Sequence, residues 1–280
     1  MISLTLLKRN LKSCLMPFFV IFAFLCLYTT VIIYMYNPEL SSMLSDYQKA
    51  LPEIMSAIGM SGIATNLLQW IQIYLYGFIM LLFPLIFVII LVNKLLMSYI
   101  DSGSMASLLA TPNSRGKIIR TQLLSIFIWL TILMVSVSIL GIVYSQMEFP
   151  GQLYISRYIV LNVCTLFLWL AVGSITFCTA CFVSESKYFY LIGAGLPIAF
   201  FMFQMLGNMG GELKVFKYVS LYSLLPTDKI ASGLNDFWLP VIVLLGIAII
   251  LSIIGCYHFK KRDLFAVSYT HLTLPTKLEV

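Results

Sequence analysis

The sequence contains few charged residues. Only 10% of its 280 residues are Asp, Glu, Lys or Arg, against about a quarter in ordinary soluble domains, and 61% are hydrophobic. A mean hydropathy of +0.99 leaves too little polar composition to cover a soluble domain of this length. The composition excludes a soluble enzyme or a nucleic-acid-binding domain, and it predicts an all-α protein that crosses a membrane several times.

The motifs of common catalytic sites are missing as well. There is no G-x-x-x-x-G-K-[ST] phosphate loop, no G-x-S-x-G elbow and no H-E-x-x-H helix anywhere in the sequence. A chain without a phosphate loop cannot bind and hydrolyse ATP by that mechanism. We therefore predict no catalytic residue, no cofactor and no metal site, and we expect any driving energy to come from a separate polypeptide.

None of the six cysteines falls in a predicted extracytoplasmic loop, where disulfides would form. Cys178 and Cys181 make a C-x-x-C pair, but the pair lies on a hydrophobic segment with no second pair and no histidine nearby. We expect free thiols rather than a metal or redox site.

Six apolar runs are long enough to cross about 30 Å of hydrocarbon as helices. They cover about 16–36, 67–97, 118–144, 155–183, 188–206 and 237–259. Their interiors hold almost no charge, so the amide side chains of Gln72, Asn162 and Gln204 stand out. Such side chains either hydrogen-bond between helices or, as the sharper hypothesis, line a transport path.

The basic residues between these runs predict the orientation of the chain. With both termini inside, eleven lie on the cytoplasmic face and five on the outer face. The outer five are Lys49, Arg157, Lys214, Lys217 and Lys229. The excess predicts cytoplasmic termini, because short loops rich in Lys and Arg stay on the cytoplasmic side.

Three further segments have an amphipathic or unusually apolar pattern. Residues 1–15 predict an interfacial helix with one leucine face, and Lys8, Arg9 and Lys12 toward water. That face contains Leu4, Leu7, Leu11 and Leu15. The pattern of the first outer loop, 37–66, predicts one or two short amphipathic helices. They would either rest passively at the membrane surface or act as a lid. The last outer loop, 207–236, is too apolar to be solvated and predicts a re-entrant or interfacial element.

A short polar island, residues 99–117, separates the second and third runs. Gly103 can end the preceding helix and Ser104 can cap a new one, which Pro112 stops. Its apolar side chains fall at i, i+3 and i+4 on one face, namely Met105, Leu108 and Leu109. Asn113 or Ser114 can cap the next span, where Arg115 adds positive charge near the membrane. The apolar face predicts a partner surface, and a solvated loop resting on lipid head groups is the alternative.

The island, written D-x-G-S-M-x-x-L-L-A-x-P-x-S-R over residues 101–115, resembles the first cytoplasmic loop of ABC-2-type transporter permeases. That family usually has an aliphatic residue in place of Asn113. The resemblance implies a transmembrane domain over residues 1–265 and a coupling helix that docks on a separate cytosolic ABC ATPase. The residues implied in that contact are Gly103, Ser104, Met105, Leu108, Leu109, Pro112 and Arg115, with Leu4, Leu7, Lys8 and Leu11 of the N-terminal helix.

The resemblance also implies an exporter that works as a homodimer or heterodimer of six-span subunits in a cell membrane, the inner or plasma membrane of a bacterium. Two other functions remain open. A self-contained secondary transporter or channel would show intramembrane charges or duplicated halves, and the sequence has neither. A non-transporting immunity or scaffold protein would rest the loop on lipid. The sequence does not identify a substrate. Residues 266–280 resemble translated sequencing-adapter read-through, and we expect a non-native or disordered tail.

Overall fold

The structure, a computed structural model, describes residues 2–37, 50–60, 62, 64–109, 113–234 and 236–262. Within them the helices are α1 (Leu4–Ser13), α2 (Leu15–Tyr34), α3 (Pro52–Ala57), α4 (Leu67–Ile71), α5 (Ile79–Asp101), α6 (Ser104–Leu109), α7 (Arg115–Glu148), α8 (Ile155–Phe182), α9 (Ser186–Asn208), α10 (Phe216–Val219), α11 (Thr227–Ala231) and α12 (Trp238–Lys261). The tail predicted at 266–280 and most of the first predicted outer loop, residues 38–49, lie outside these ranges.

The prediction of an all-α protein with six spans is confirmed. Six helices, α2, α5, α7, α8, α9 and α12, are long and apolar enough to cross a membrane. The described part of the chain contains no strand. The largest difference in bounds is at the second span, where the helix begins at Ile79 instead of residue 67, and α7, with 34 residues, extends beyond the predicted 118–144 at both ends.

The second span is broken, and the break is not at the proline. Pro84 lies inside the continuous α-helical stretch Ile79–Val92. The break falls at Gly77 and Phe78, after a π-helical turn over Gln72–Tyr76 that extends α4. Here the Gly77 backbone packs against Gly59, and a Cβ on Gly77 would lie 2.8 Å from the Gly59 carbonyl oxygen. The break thus coincides with a close approach of two backbones that leaves no room for a side chain at residue 77.

The centre of the bundle is α8, the most buried span. It packs along α12, where the Ser174 and Ser252 hydroxyls are 3.0 Å apart and Gly255 lies against Phe177. Small residues allow the two backbones to approach closely, as in other membrane helix pairs.

The two ends of the bundle differ in charge, and we call them the basic end and the opposite end. The basic end comprises α1 and residues 98–109, 113–116, 183–187 and 258–262. The opposite end comprises residues 50–60, 62, 64–77, 149–154, 209–234 and 236–237. Contacts hold the basic end together: the Arg9 guanidinium carbon lies 5.8 Å from the Tyr99 ring centroid, and Arg115 Nη1 donates to the Arg262 carbonyl oxygen at 2.9 Å.

The segment after α9 folds back onto the bundle. Two 3-10 turns, Gly211–Val215 and Leu221–Leu224, alternate with α10 and α11. The Ser220 hydroxyl donates to the Phe200 carbonyl oxygen at 2.7 Å, and Tyr222 and Ile230 are fully buried. The segment thus combines buried apolar side chains with exposed ones, since Val215 and Val219 are 64% and 54% exposed. A re-entrant or interfacial position for this segment stays a prediction.

Candidate functional site

The short helix predicted in the polar island is present as α6, Ser104–Leu109. Gly103 precedes it with φ of +69°, a conformation that favours glycine. Ser114 caps α7, since its hydroxyl accepts a hydrogen bond from the Lys117 backbone N–H at 3.3 Å. Pro112, predicted to stop α6, and the Leu109 side chain lie outside the described structure.

The apolar face of α6 points into the chain's own core. Met105 is only 2% exposed and Leu108 is half-buried against the same core. The protein itself therefore covers the Met105 side chain, and the role of Met105 at a partner surface stays a prediction. Among the helix residues whose burial the structure describes, Ser104 and Ser107 are exposed. A helical apolar stripe shows which residues avoid water, but not whether a partner or the chain itself covers them.

A carboxylate joins the basic ends of α5 and α9. Asp101, the last residue of α5, accepts hydrogen bonds from the Ser186 hydroxyl at 2.8 Å and the Ser186 backbone N–H at 3.2 Å. Ser186 is the first residue of α9. We call this contact the Asp101 clamp.

Arg262 ties the end of α12 to the end of α8. Its Nη1 donates to the Cys181 carbonyl oxygen at 2.9 Å, and its Nη2 donates to the Ser184 hydroxyl at 2.5 Å. The predicted partner residue Arg115 is exposed, and its guanidinium bonds the backbone of Arg262.

The N-terminal helix is fixed to α7 by polar contacts rather than by its leucine face. Asn10 is 1% exposed, and its Nδ2 donates to Gln122 Oε1 at 2.6 Å and to Ser125 Oγ at 2.9 Å. Leu4 is 77% exposed. The remaining predicted contact residues of α1 divide between half-buried Leu7 and Leu11 and exposed Lys8. The face that packs on α7 is thus offset from the leucine stripe.

A polar cavity of about 270 Å³ lies at the opposite end, which we call the polar cavity. It is lined from four parts of the chain that are distant in sequence. These are Gly59, the π-helical turn with Gln72 and Tyr76, the end of α9 with Gln204 and Asn208, and the segment after α9 with Lys217, Tyr222, Thr227, Asp228 and Lys229.

Two of the three predicted path residues line this cavity directly. Gln72 Nε2 donates to Asp228 Oδ1 at 2.8 Å and to Thr227 Oγ1 at 3.2 Å, and Gln204 Nε2 donates to Asn208 Oδ1 at 3.3 Å. Asn162, the third, is buried behind the wall, where its Oδ1 accepts from the Tyr76 hydroxyl at 2.8 Å. Asn162 therefore orients a lining residue instead of lining the cavity.

The cavity holds polar groups that the chain itself does not pair. Within the described residues, Gln204 Oε1 and the Tyr222 hydroxyl are buried without a hydrogen-bond partner. Sequence reasoning missed Tyr222 and Asp228, although charged residues in the otherwise apolar 207–236 segment were a usable signal. All six cysteines are free, and no three His, Cys, Asp or Glu side chains cluster in the described part of the chain.

Two continuous helices connect the basic end to the polar cavity. One is α5, which begins beside Gly77 of the cavity wall and ends at Asp101. The other is α9, which begins at Ser186 and ends with Gln204 and Asn208. The Asp101 clamp joins their basic ends, and each helix contains a π-helical segment, Asn93–Met97 in α5 and Phe189–Ala194 in α9. Such segments are frequent at functional sites.

The comparisons with known proteins agree with this architecture. The family model described as ABC-2 family transporter protein matches residues 9–264. No curated protein and no solved structure matches the chain. The match covers nearly all of the six-span bundle, both candidate regions included. The chain is a multi-pass membrane protein that belongs to the ABC-2 transporter family, as a permease of the ABC-2 type.

Proposed function

We propose that this chain is the membrane subunit of an ATP-driven exporter whose ATP hydrolysis is carried out by a separate cytosolic ABC ATPase. The basic end faces the cytoplasm, where the excess of Lys and Arg favours retention. Two copies of the chain, or this chain and a second six-span permease, pair in the cell membrane and bind two ATPase subunits.

The observation that carries the proposal is the pair of helices, α5 and α9, that run from the Asp101 clamp to the polar cavity. The 23 residues of α5 span about 34 Å at 1.5 Å per residue, about the thickness of the hydrocarbon core. A displacement of α6 reaches α5 through Gly103 and reaches α9 through Ser186. The α9 helix carries the lining residues Gln204 and Asn208 near its other end, and α5 carries Leu81 and begins beside Gly77 of the cavity wall, so the displacement changes the polar cavity.

The polar cavity is the proposed outer part of the substrate path. Among the described residues no Asp, Glu, Lys or Arg is buried. Ion-coupled carriers keep charged groups inside the membrane as partners for the coupling ion. The absence of buried charged side chains among the described residues therefore favours an externally driven permease over a secondary transporter.

The ATPase contacts the exposed side of α6 in this proposal. Met105 anchors the helix from inside, while Ser104 and Ser107 face outward. The exposed Lys8 and Arg9 on α1 lie beside this surface, since Arg9 stacks on Tyr99 just before the Asp101 clamp.

The test is the substitution Ser107→Arg in the full chain, purified with an affinity tag from membranes of its host. We expect the ABC-type ATPase bound per chain to fall by about tenfold, because an unpaired charge buried in an interface costs more than about 1.4 kcal/mol. Mass spectrometry identifies the ATPase, and ATP hydrolysis by the purified complex gives its activity. The matched control is Gln152→Arg, which adds the same charge to an exposed residue at the opposite end. An ATPase content and activity unchanged by Ser107→Arg would contradict the proposed contact.

A further inference from the structure

The broken second span separates two cavities of opposite character. The polar cavity lies on the face that carries Gln72 and Tyr76. A second cavity of about 290 Å³ lies against Trp70 and Tyr74, two residues away on the other face. We call the second one the apolar cavity.

The apolar cavity has the chemistry of a hydrocarbon-binding site. Span α2 contributes four side chains at helical spacing. Residues 50–60, which we call the outer segment, contribute two methionines, a residue type that adapts to apolar ligands. These are Tyr28, Val31, Ile32 and Met35, with Met55 and Met60. The Trp70 indole N–H already donates to the Ile32 carbonyl oxygen at 2.7 Å. Val31 and Met35 are 44% and 46% exposed on the side of the bundle. The cavity therefore opens sideways, at a surface that a bilayer would cover.

The two cavities adjoin at residues 59 and 60, where the Gly59 backbone packs against the Gly77 backbone of the second span. Gly59 lines the polar cavity and its neighbour Met60 lines the apolar one. Gly59 has φ of +73°, and a Cβ placed there would lie 2.8 Å from the Gly77 carbonyl oxygen. The two cavities are separate in this structure. Because neither glycine has a side chain at this contact, a movement of residues 50–60 away from Gly77 would open a passage between them.

The polar cavity carries charges of both signs that lack ionic partners. Asp228 accepts a hydrogen bond from Gln72 Nε2 and forms no ion pair with any described residue. Half-buried Lys217 likewise has no described acidic partner, whereas Lys229 pairs with Asp236 at 3.3 Å. Gln204 and Tyr222 line the same cavity, and the Gln204 Oε1 atom and the Tyr222 hydroxyl are buried behind its surface without a hydrogen-bond partner, so they are available to a ligand once the wall moves. A carboxylate with an amide oxygen suits an ammonium group, and an ammonium with a phenol suits a phosphate or carboxylate.

We propose that the two cavities form one site for an amphiphile with a single apolar chain and a zwitterionic head group. The apolar chain lies beside Trp70, and the head group places its ammonium at Asp228 and its anionic group at Lys217. The identification of this amphiphile as the substrate class of the exporter rests on the proposed function, whereas binding itself requires no ATPase.

The experiment uses the full chain in phosphatidylglycerol nanodiscs, whose own head groups are anionic. The probe is a single-chain phosphoethanolamine lipid with a brominated acyl chain, because bromine quenches tryptophan fluorescence at short range. We expect saturable quenching, and we expect Trp70→Phe to remove the saturable component. A lipid with the same brominated chain and an uncharged glycerol head should bind about tenfold more weakly, since hydrogen bonds to charged groups are lost.

Two variants with matched controls test the two halves of the site. Asp228→Asn should weaken the phosphoethanolamine probe about tenfold, and Glu212→Gln, the same change on an exposed residue outside the cavity, should not. Val31→Phe fills the apolar cavity and should abolish saturable quenching. The control Val20→Phe adds the same volume to an exposed position of α2 away from the cavity.

Equal affinity for the two head groups in the unsubstituted chain would overturn the proposal, and this comparison does not depend on the folding of any variant. Quenching that never saturates would also overturn it, since that result describes bulk lipid. Ser107→Arg should leave probe binding unchanged. Loss of ATPase contact with retained probe binding, or the reverse, therefore separates failure of the proposed function from failure of this inference.

Discussion

Single glycines in the spans show how local packing overrides helix propensity. Gly141 lies in α7 where an added Cβ would collide with the Tyr158 hydroxyl, which is buried. Gly246 lies in α12 with no heavy atom within 4 Å of the same added atom. By propensity alone, alanine would improve both helices. The neighbours therefore decide the sign of the substitution.

We expect Gly141→Ala to lower the free energy of unfolding by about 1–3 kcal/mol, because overpacking forces the Tyr158 ring to move. Gly246→Ala should raise the free energy of unfolding by about 0.5–1 kcal/mol, because glycine is the more flexible residue in the unfolded chain. Denaturant titration of both variants in the same detergent measures the difference. Equal effects of the two substitutions would show that Tyr158 does not occupy the space beside Gly141.

At the scale of elements, the sequence predicted which segments are helical better than it predicted which faces meet. Apolar length and the Gly103 and Ser104 punctuation were enough to predict six spans and α6. The same pattern could not show that Met105 packs inward, or that α1 packs through Asn10, because lipid, partner and protein core all accept apolar side chains.

The polar cavity was only partly predictable from sequence for a related reason. Gln72 and Gln204 stood out as amides in apolar spans, but Gln72 bonds Asp228, 156 residues further on. No local pattern encodes that pairing. The contact between Gly77 and Gly59 could not be predicted for the same reason, because nothing in the local sequence marks either glycine.

The Asp101 clamp gives a prediction for the link between α5 and α9. We expect Asp101→Ala to speed amide hydrogen exchange of residues 186–190 by about fivefold, because two hydrogen bonds at an exposed site contribute about 1 kcal/mol in all. Amide hydrogen exchange, measured by mass spectrometry on the chain in nanodiscs, tests this expectation. The matched control is Glu185→Ala, an exposed acidic residue in the same loop whose side chain does not contact Asp101. If both variants exchange like the unsubstituted chain, the clamp does not hold the start of α9.

At the scale of the whole molecule, the bundle combines a fixed centre with two connected ends. The α8 helix forms the centre with α12 packed along it, and the helices that reach the polar cavity, α5 and α9, contain π-helical segments. A permease driven from one end needs such an arrangement, since the force applied at α6 has to change the far end without unpacking the core. Population shift between two arrangements of α5 and α9 meets this requirement.

The central claim is that ATP, bound by the ATPase at the basic end, changes the polar cavity at the opposite end. Ser223 is exposed and lines that cavity, so Ser223→Cys gives a reporter for a membrane-impermeant thiol reagent, while the native cysteines are buried or half-buried.

The most direct test is the labelling rate of Ser223→Cys in the complex with its ATPase, with and without ATP. The account predicts that ATP changes this rate severalfold and that Ser107→Arg in the same chain removes the change. A labelling rate that is the same with and without ATP, in a complex that hydrolyses ATP, would contradict it.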